Sequence, residues 1–335
     1  MVAVFAWGQA PQLLEKGASM PTAITQSNRV APWIGIGVSG SWDNSADALQ
    51  AAELDFTVRQ EQLYWQREDK TVQHFMNTLI YDEPAPMFAN VRDTDDKLLG
   101  CVTPQYKVIQ NTDAFSLIDP FLNNGHITNV GMTEDGLCFM VAEVDVTTIG
   151  KEDYTINLMV TNSFNTKYPC QIILTPVRIY CQNMYRRLIP DRIFMAKHTL
   201  TANDRLIKLA QSNIIDKKVW LFANVIESAQ GKKMGHFKFK SLIDMLFPYP
   251  KEGPREQAYK ARVDQTRQLF EDVYYDAQDN KVHHDTAFGF INAYFDYLSH
   301  RSASRETQVA WADRRLSGIV SGLDINGKVI QEALK

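Results

Sequence analysis

The stretch that most constrains the fold spans residues 155–187 and reads TINLMVTNSFNTKYPCQIILTPVRIYCQNMYRR. Two apolar runs rich in β-branched residues, 156–161 and 171–179, predict two strands. A polar connector that contains asparagine, serine and proline separates the runs, which is typical of a strand–loop–strand unit. Three arginines fall within the last ten residues of the stretch: Arg178, Arg186 and Arg187. We therefore expect a buried sheet that carries polar groups to one edge.

The period of hydrophobicity changes along the chain. Strand-like segments dominate the first part and are found at 54–66, 87–92, 98–102, 125–130 and 137–146, with 87–102 forming a hairpin. After residue 200, apolar residues recur every three or four positions, which predicts helices at 201–231, 238–247, 254–277, 286–300, 305–319 and 325–334. Two short helices are expected earlier, one at 44–52 capped by Asn44 or Ser45 and one from Asn111 or Thr112 to 121. The order predicts an α+β fold, with an antiparallel-rich sheet in the N-terminal half and centre that packs against a helical C-terminal half.

Three regions of one integrated domain follow from this pattern: an irregular N-terminal arm (1–43), a strand-rich core (44–200) and a helical region packed on that core (201–335). The arm carries four large aromatic residues with little helical or strand periodicity: Phe5, Trp7, Trp33 and Trp42. Exposed aromatic rings forgo favourable burial, so these side chains are expected to dock, either on their own sheet or on a neighbouring subunit. Docking on a neighbour would give a homo-oligomer built as a ring or filament.

Charge is distributed unevenly. The formal net charge is −4, yet residues 1–164 carry 9 Lys/Arg against 21 Asp/Glu and residues 165–335 carry 26 against 18. Residues 167–218 alone hold 10 basic and 3 acidic side chains. A basic segment on an otherwise acidic chain is the pattern expected of local polyanion binding. The alternative is that these charges form a solvated helix face or pair with the acidic half.

Several classes of protein are disfavoured. No run approaches the eighteen apolar residues of a membrane span, and the N-terminus lacks the positive region of a signal peptide. The cysteines are widely spaced, without a CxxC pair, which favours buried free thiols in the reducing cytoplasm of a bacterial host: Cys101, Cys138, Cys170 and Cys181. The sequence contains no P-loop, no Rossmann fingerprint, no HExxH and no GxSxG. We therefore expect no membrane association, no cofactor and no metal.

Five blocks of the chain resemble the phage/plasmid-like proteins of the domain-of-unknown-function 932 family. They are APWIGIG, LLGCVTPQYKVIQN with AFSLID, VTNSFN…TPVRIYCQN, MAKHTLTANDRL and TAFGFINAYFDYLSH, spread over roughly residues 30–320. The chain departs from the family pattern at Ile34, where His is usual, and at Phe288, where Trp is common. The resemblance implies a protein of mobile genetic elements and does not imply a reaction.

The central motif and the basic segment together give the predicted nucleic-acid contacts. These are Asn162, Lys167, Arg178, Asn183, Arg186, Arg187, Arg192, Lys197 and His198. Amides and guanidinium groups at strand ends can bond phosphates, sugars and base edges, and the aromatic residues Tyr180, Tyr185 and Phe194 could stack on bases. The alternatives are that the amides satisfy buried backbone groups and that the aromatic residues belong to the core.

The function expected from these observations is nucleic-acid binding in phage or plasmid DNA metabolism, with single-stranded DNA favoured and an annealing or recombination role. A second hypothesis is a metal-dependent or hydrolytic enzyme that uses Asn292, Asp296 and His300, which are spaced four apart on one predicted helix face. His283, His284 and Asp285 lie just upstream as potential partners. That face could equally be a polar surface bonded across the sheet interface. A protein-binding anti-defence factor is a third alternative, and binding is favoured over catalysis.

Overall fold

The computed structural model describes residues 31–68, 80–123, 125–150, 152–178, 192–196, 214–249, 256–275, 283–298, 316 and 327–335. Its strands are β1 (Val38–Trp42), β2 (Val58–Glu68), β3 (Ile80–Arg92), β4 (Leu98–Val102), β5 (His126–Met132), β6 (Leu137–Ile149), β7 (Glu152–Ser163), β8 (Cys170–Arg178) and β9 (Arg192–Ala196). Its α-helices are α1 (Ser45–Ala51), α2 (Asn111–Phe115), α3 (Ile214–Gly231), α4 (His236–Leu246), α5 (Glu256–Tyr275), α6 (Ala287–Asp296) and α7 (Gly327–Ala333). Strands fill the first part of the chain and helices the last, so the predicted α+β class is confirmed.

Two antiparallel sheets organise the described residues. The larger has the order β1-β5-β6-β7-β8-β9, and the smaller has the order β2-β3-β4. The centre of the larger sheet is built from β6, β7 and β8, whose long register runs from Leu137↔Ser163 to Ile149↔Glu152 and from Tyr154↔Arg178 to Thr161↔Gln171. These are the most apolar segments of the chain, and burial on both faces explains why they read as nearly continuous hydrophobic runs.

The two faces of the larger sheet support different cores. On β6, Cys138, Met140 and Ala142 join the main core, which the helices cover. The alternate residues, Leu137, Phe139 and Val141, join a second cluster on the opposite face. Successive side chains of a strand point to opposite faces, so one strand supplies both clusters.

The helical half packs around α6, in which all ten residues are buried. Aromatic rings fill the space between α4, α5 and α6: the centroids of Phe239 and Tyr274 lie 4.3 Å apart, and those of Phe270 and Phe290 lie 5.5 Å apart. No described helix is long and apolar enough to span a membrane. The C-terminal end of α7 is held by two lysines, since Nζ of Lys232 donates to the carbonyl of Leu334 and Nζ of Lys238 donates to that of Ala333.

Most predicted local elements are confirmed, including the hairpin at 87–102, which is β3 and β4. Asn44 caps α1 as expected, because its Oδ1 accepts a hydrogen bond of 2.9 Å from the amide of Asp47. The cap predicted at Asn111 or Thr112 is wrong, since α2 begins at Asn111 and its N-cap position is Gln110. The predicted helix at 305–319, apart from residue 316, and the part of the long helix at 201–213 lie outside the described residues.

The described part of the predicted N-terminal arm, residues 31–43, contains regular structure. Residues Pro32–Gly35 form a 3-10 turn, and β1 pairs with β5 as a strand of the larger sheet. Gly37, with φ of 72°, permits this pairing because a Cβ there would lie 2.3 Å from the carbonyl oxygen of Val130. Trp33 is only 3% exposed and packs in the second cluster, while Trp42 packs against the main core. These two aromatic residues dock on their own chain, so they no longer argue for an oligomer; Phe5 and Trp7 lie outside the described residues.

Candidate functional site

The central motif forms the end of the β7–β8 hairpin, where the connector 164–169 reverses the chain. Oγ of Ser163 donates to the carbonyl of Tyr168 at 2.7 Å and accepts from its amide at 3.3 Å, which closes the connector. Nδ2 of Asn165 donates to the carbonyl of Asp135 at 2.6 Å and ties the connector to the β5–β6 turn. Thr166 adopts φ of 65°, so the turn is tight. These polar side chains are therefore used to shape the hairpin end.

Asn162 is completely buried and belongs to a network of amides. Its Nδ2 donates to the carbonyl of Ile109 at 2.9 Å and to Oδ1 of Asn111 at 3.1 Å. Nδ2 of Asn111 in turn donates to the carbonyl of Leu54 at 3.0 Å. A residue in this position satisfies backbone groups inside the fold, and direct contact with a nucleic acid would require the hairpin end to open.

The same connector attaches the smaller sheet to the larger one. Nδ2 of Asn90 on β3 donates to the carbonyl of Phe164 at 2.7 Å, and the hydroxyl of Tyr106 donates to the carbonyl of Ser163 at 2.8 Å. Gly100 on β4 approaches so closely that a Cβ there would lie 2.7 Å from Cα of Asn165. Burial raises the pKa of Tyr106, so its hydroxyl keeps the proton that it donates. The backbone carbonyls of Ser163 and Phe164 thus form the joint between the two sheets.

The predicted basic contacts fall on both ends of the outer strands of the larger sheet. Lys167 is exposed on the connector at one end of β8, and Arg178 is the last residue of β8 at the other end. β8 has nine residues, so at ~3.3 Å per residue its ends lie roughly 26 Å apart. Arg192 is the first residue of β9 and lies opposite Ile173. The structure therefore separates these positions along the sheet and does not gather them at one point.

Five of the predicted contacts lie outside the described residues: Asn183, Arg186, Arg187, Lys197 and His198. Of the basic segment, the structure describes β8 and β9, and Ala196 on β9 lies opposite Cys170. β9 is the last strand of the larger sheet in the described part of the chain.

A second basic surface was not predicted from the sequence. It comprises the loop and first turns of α4, residues 233–240, and we call it the Lys233–Lys240 surface. The ring of Phe237 is 91% exposed there, with Lys233 and His236 also exposed. Nζ of Lys240 lies 2.6 Å from a carboxylate oxygen of Glu271 and keeps half of its side chain exposed. The signal in the sequence is the absence of any Asp or Glu between Glu227 and Asp244.

The helix face on which the enzyme hypothesis depends points into the interior of the protein. Asn292 and Asp296 are each 1% exposed within α6, and His300 lies outside the described residues. His283 does not join this face, because its Nε2 lies 3.1 Å from a carboxylate oxygen of Glu152 at the start of β7. No group of three or more His, Cys, Asp or Glu side chains that could hold a metal ion occurs in the described ranges.

The buried cysteines lack the character of nucleophiles. Burial raises the pKa of both Cys138 and Cys170 to about 12, so both thiols are protonated at neutral pH. Three of the four cysteines are described, and all three are free thiols: Cys101, Cys138 and Cys170. The predicted burial is confirmed for Cys138 and Cys170 and is wrong for Cys101, which is exposed. Neither Cys138 nor Cys170 is therefore a candidate for thiol catalysis.

The geometry defines an α+β protein in which a six-stranded antiparallel sheet is joined to a smaller sheet by the connector after β7 and covered on one face by helices. A family model described as Domain of unknown function (DUF932) matches residues 98–318, which is more than half of the chain. The chain belongs to this family, and the resemblance seen in its motifs is confirmed. Comparison with curated proteins and with solved structures found no match. The matched range begins at β4, so β1, β2 and β3 precede it.

Proposed function

We propose that this protein binds nucleic acid, with single-stranded DNA as the preferred ligand, and that it acts in the DNA metabolism of phages or plasmids as an annealing or recombination factor. The observation that carries the proposal is the basic segment 167–218, with its 10 basic and 3 acidic side chains, around the edge strand β9. Mobile genetic elements are the setting that the family resemblance implies. A local excess of positive charge on an acidic protein concentrates a polyanion at that surface.

The spread of the basic positions supports an extended ligand. Lys167 and Arg178 mark opposite ends of β8, roughly 26 Å apart at ~3.3 Å per residue. A point-like anion would need the charges gathered in one place, whereas a nucleic-acid backbone presents phosphates in a row. The arrangement therefore favours a strand of nucleic acid that runs along the edge of the larger sheet.

The Lys233–Lys240 surface supports an unpaired strand. A phenylalanine ring that is 91% exposed offers a face on which an unpaired base can stack. The neighbouring Lys233 and His236 can contact the phosphates on either side of such a base. Stacking of this kind needs bases that are free of a duplex, which is the reason for preferring single-stranded DNA.

Asn162 enters this proposal as a positioning residue. It is buried and orders the hairpin end from which Lys167 projects, so its replacement should act through folding. The contacts proposed for the ligand are the remaining eight predicted residues, of which Lys167, Arg178 and Arg192 have described backbone positions.

The test is the salt dependence of binding to a labelled single-stranded oligonucleotide. Each phosphate neutralised on a single strand releases ~0.7 counterion, so replacing Arg186 and Arg187 together by alanine should flatten the log–log slope by about 1.4. The matched control replaces Lys97 and Lys328, two exposed lysines outside the basic segment, by alanine and removes the same charge. The proposal fails if the parent does not bind, or if both double variants change the slope equally. A duplex of the same sequence, measured in parallel, tests the preference for single strands.

A further inference from the structure

The smaller sheet extends as a two-stranded ribbon that its own core does not cover. β3 pairs with β4 only from Phe88 to Val91, whereas its pairing with β2 continues to Glu68↔Ile80. Near the end of this ribbon Tyr64 is 62% exposed and Trp65 is 49% exposed, on opposite faces. A two-stranded ribbon is marginally stable alone in water, so such a ribbon usually gains stability from a partner.

The two edges of the ribbon differ in their ability to pair with another strand. Along β3, beyond the end of β4, Pro84 and Pro86 remove backbone donors, which blocks the addition of another strand. β2 contains no proline and no lysine over its 11 residues. In the described part of the chain β2 is also the outermost strand of its sheet. β2 is therefore the edge that can accept a further strand.

The side chain of Gln110 shows which backbone groups of β2 point outward. Its Oε1 accepts from the amide of Val58 at 3.0 Å, and its Nε2 donates to the carbonyl of Val58 at 2.9 Å. Both groups of Val58 thus point away from β3. Backbone groups alternate in direction along an edge strand. The register shift between Gln62 and Tyr64 places its two extra residues on β3 and not on β2, so the same outward direction holds for Gln60, Gln62, Tyr64, Gln66 and Glu68. Gln110 covers this edge at Val58, and no strand in the described part of the chain pairs with the later positions on this side of β2.

Self-pairing of β2 about Tyr64 satisfies both hydrogen bonds and charge and does not use Val58, which Gln110 covers. If two copies of β2 run antiparallel about a two-fold axis at Tyr64, outward-pointing residues face each other, with Gln62 opposite Gln66 of the second copy. The same register places the position of Glu61 opposite that of Arg67 in the second copy, and symmetry repeats this pair of opposite charges. An axis between Tyr64 and Trp65 would place residues whose backbone groups point outward opposite residues whose groups point inward, so the hydrogen bonds could not form. It would also place Glu61 opposite Glu68, two like charges.

We propose that two copies of this chain associate through β2, which pairs with β2 of the second copy about a two-fold axis at Tyr64 to join the two small sheets. The occupant of the open edge is therefore a second copy of the chain. No residue of β2 belongs to the basic segment 167–218 or to the Lys233–Lys240 surface. It replaces the N-terminal arm as the basis for expecting a homo-oligomer.

The first experiment is a charge exchange on the full-length chain, measured by sedimentation without oligonucleotide so that it is independent of nucleic-acid binding. Each single variant, Glu61→Arg or Arg67→Glu, places like charges at positions 61 and 67 of opposite copies, and the two-fold axis repeats this pair. Each should therefore weaken the dimer about ten-fold or more. The double variant restores opposite charges and should recover dimerisation. An equimolar mixture of the two single variants should form a heterodimer. Arg59, which pairs with Glu61, keeps its contacts with Asp93 and Asp96 in these variants.

The second experiment interrupts the edge itself. Tyr64→Pro removes the outward amide at the two-fold axis and should abolish the dimer, while the matched control Tyr64→Thr keeps that amide and should retain it. Circular dichroism and melting temperature verify that both variants fold. The proposal is overturned if the parent is monomeric at all concentrations, if folded Tyr64→Pro still dimerises, or if the double charge variant fails to rescue. If the natural partner of this edge is a different protein, the purified chain sediments as a monomer, and the proposal is overturned.

Discussion

Asn162 on β7 donates a hydrogen bond from its Nδ2 to Oδ1 of Asn111 at the start of α2, 3.1 Å away. Fifty-one residues separate the two amides in the chain, and both are completely buried. Together they satisfy the carbonyls of Ile109 and Leu54, which would otherwise lack a partner inside the fold. The asparagines of the most distinctive motif in the chain therefore have a structural role that their residue types alone do not reveal.

Asn162→Ala should destabilise the protein. The substitution removes two hydrogen bonds and leaves the carbonyl of Ile109 buried without its donor, which costs about 1–3 kcal/mol. Urea unfolding measures this change in the free energy of unfolding. The control is Asn224→Ala, on the exposed face of α3, where the loss should be small.

A nucleic-acid binding measurement distinguishes a structural role of Asn162 from a direct contact with the ligand. If the residue acts through the fold, the Asn162→Ala protein at a temperature where it is fully folded binds an oligonucleotide as the parent does. Weakened binding with unchanged stability would instead make Asn162 a direct contact.

Gly100→Ala should weaken the joint between the two sheets. A methyl group at this position would lie 2.7 Å from Cα of Asn165 and 2.8 Å from the carbonyl oxygen of Phe164, both backbone atoms that cannot rotate away. We expect a loss of about 1–3 kcal/mol in the free energy of unfolding. Gly231→Ala is the matched control, because no atom lies within 4 Å of a Cβ there. Equal effects at the two glycines would contradict the close contact.

The described cysteines should differ sharply in reactivity. Because burial raises the pKa of Cys138 and Cys170 to about 12, only about one thiol in ten thousand is ionised at pH 8. Cys101 is exposed and should be alkylated first. Mass spectrometry of peptides from the iodoacetamide-treated native protein measures the order, and the same treatment in urea should label all three. Rapid labelling of Cys138 in the native protein would show that the central sheet opens.

Phe237→Ala should weaken binding to single-stranded DNA without destabilising the fold. The ring is 91% exposed, so its removal costs little packing. Loss of a stacked base costs about 1–3 kcal/mol, which raises Kd roughly five-fold to 150-fold. Trp220→Ala is the control, since that ring is 64% exposed on α3, outside the Lys233–Lys240 surface. Fluorescence anisotropy with a labelled oligonucleotide measures both. Unchanged binding in the Phe237 variant would remove this surface from the ligand path.

Local pattern determined most of the secondary structure. The alternating and continuous apolar runs of β6, β7 and β8 predicted strands because burial on one or both faces leaves a direct trace in the order of residues. Asn44 was found as a helix cap because its hydrogen bond to the amide of Asp47 spans only three residues. The family membership also followed from short motifs that can be read in order.

The tertiary structure decided what those elements do. Trp33 follows no helical or strand period, and only the second face of the larger sheet shows where its ring is buried. Asn162 was read as a contact for a ligand, yet its partners lie more than fifty residues away. The outward direction of the β2 backbone groups is likewise shown by Gln110, which bonds the amide of Val58 and lies 52 residues away in the chain. Periodicity and capping are properties of neighbours in the chain, whereas burial, hydrogen-bond partners and free edges are set by contacts between distant segments, which the order of residues does not display.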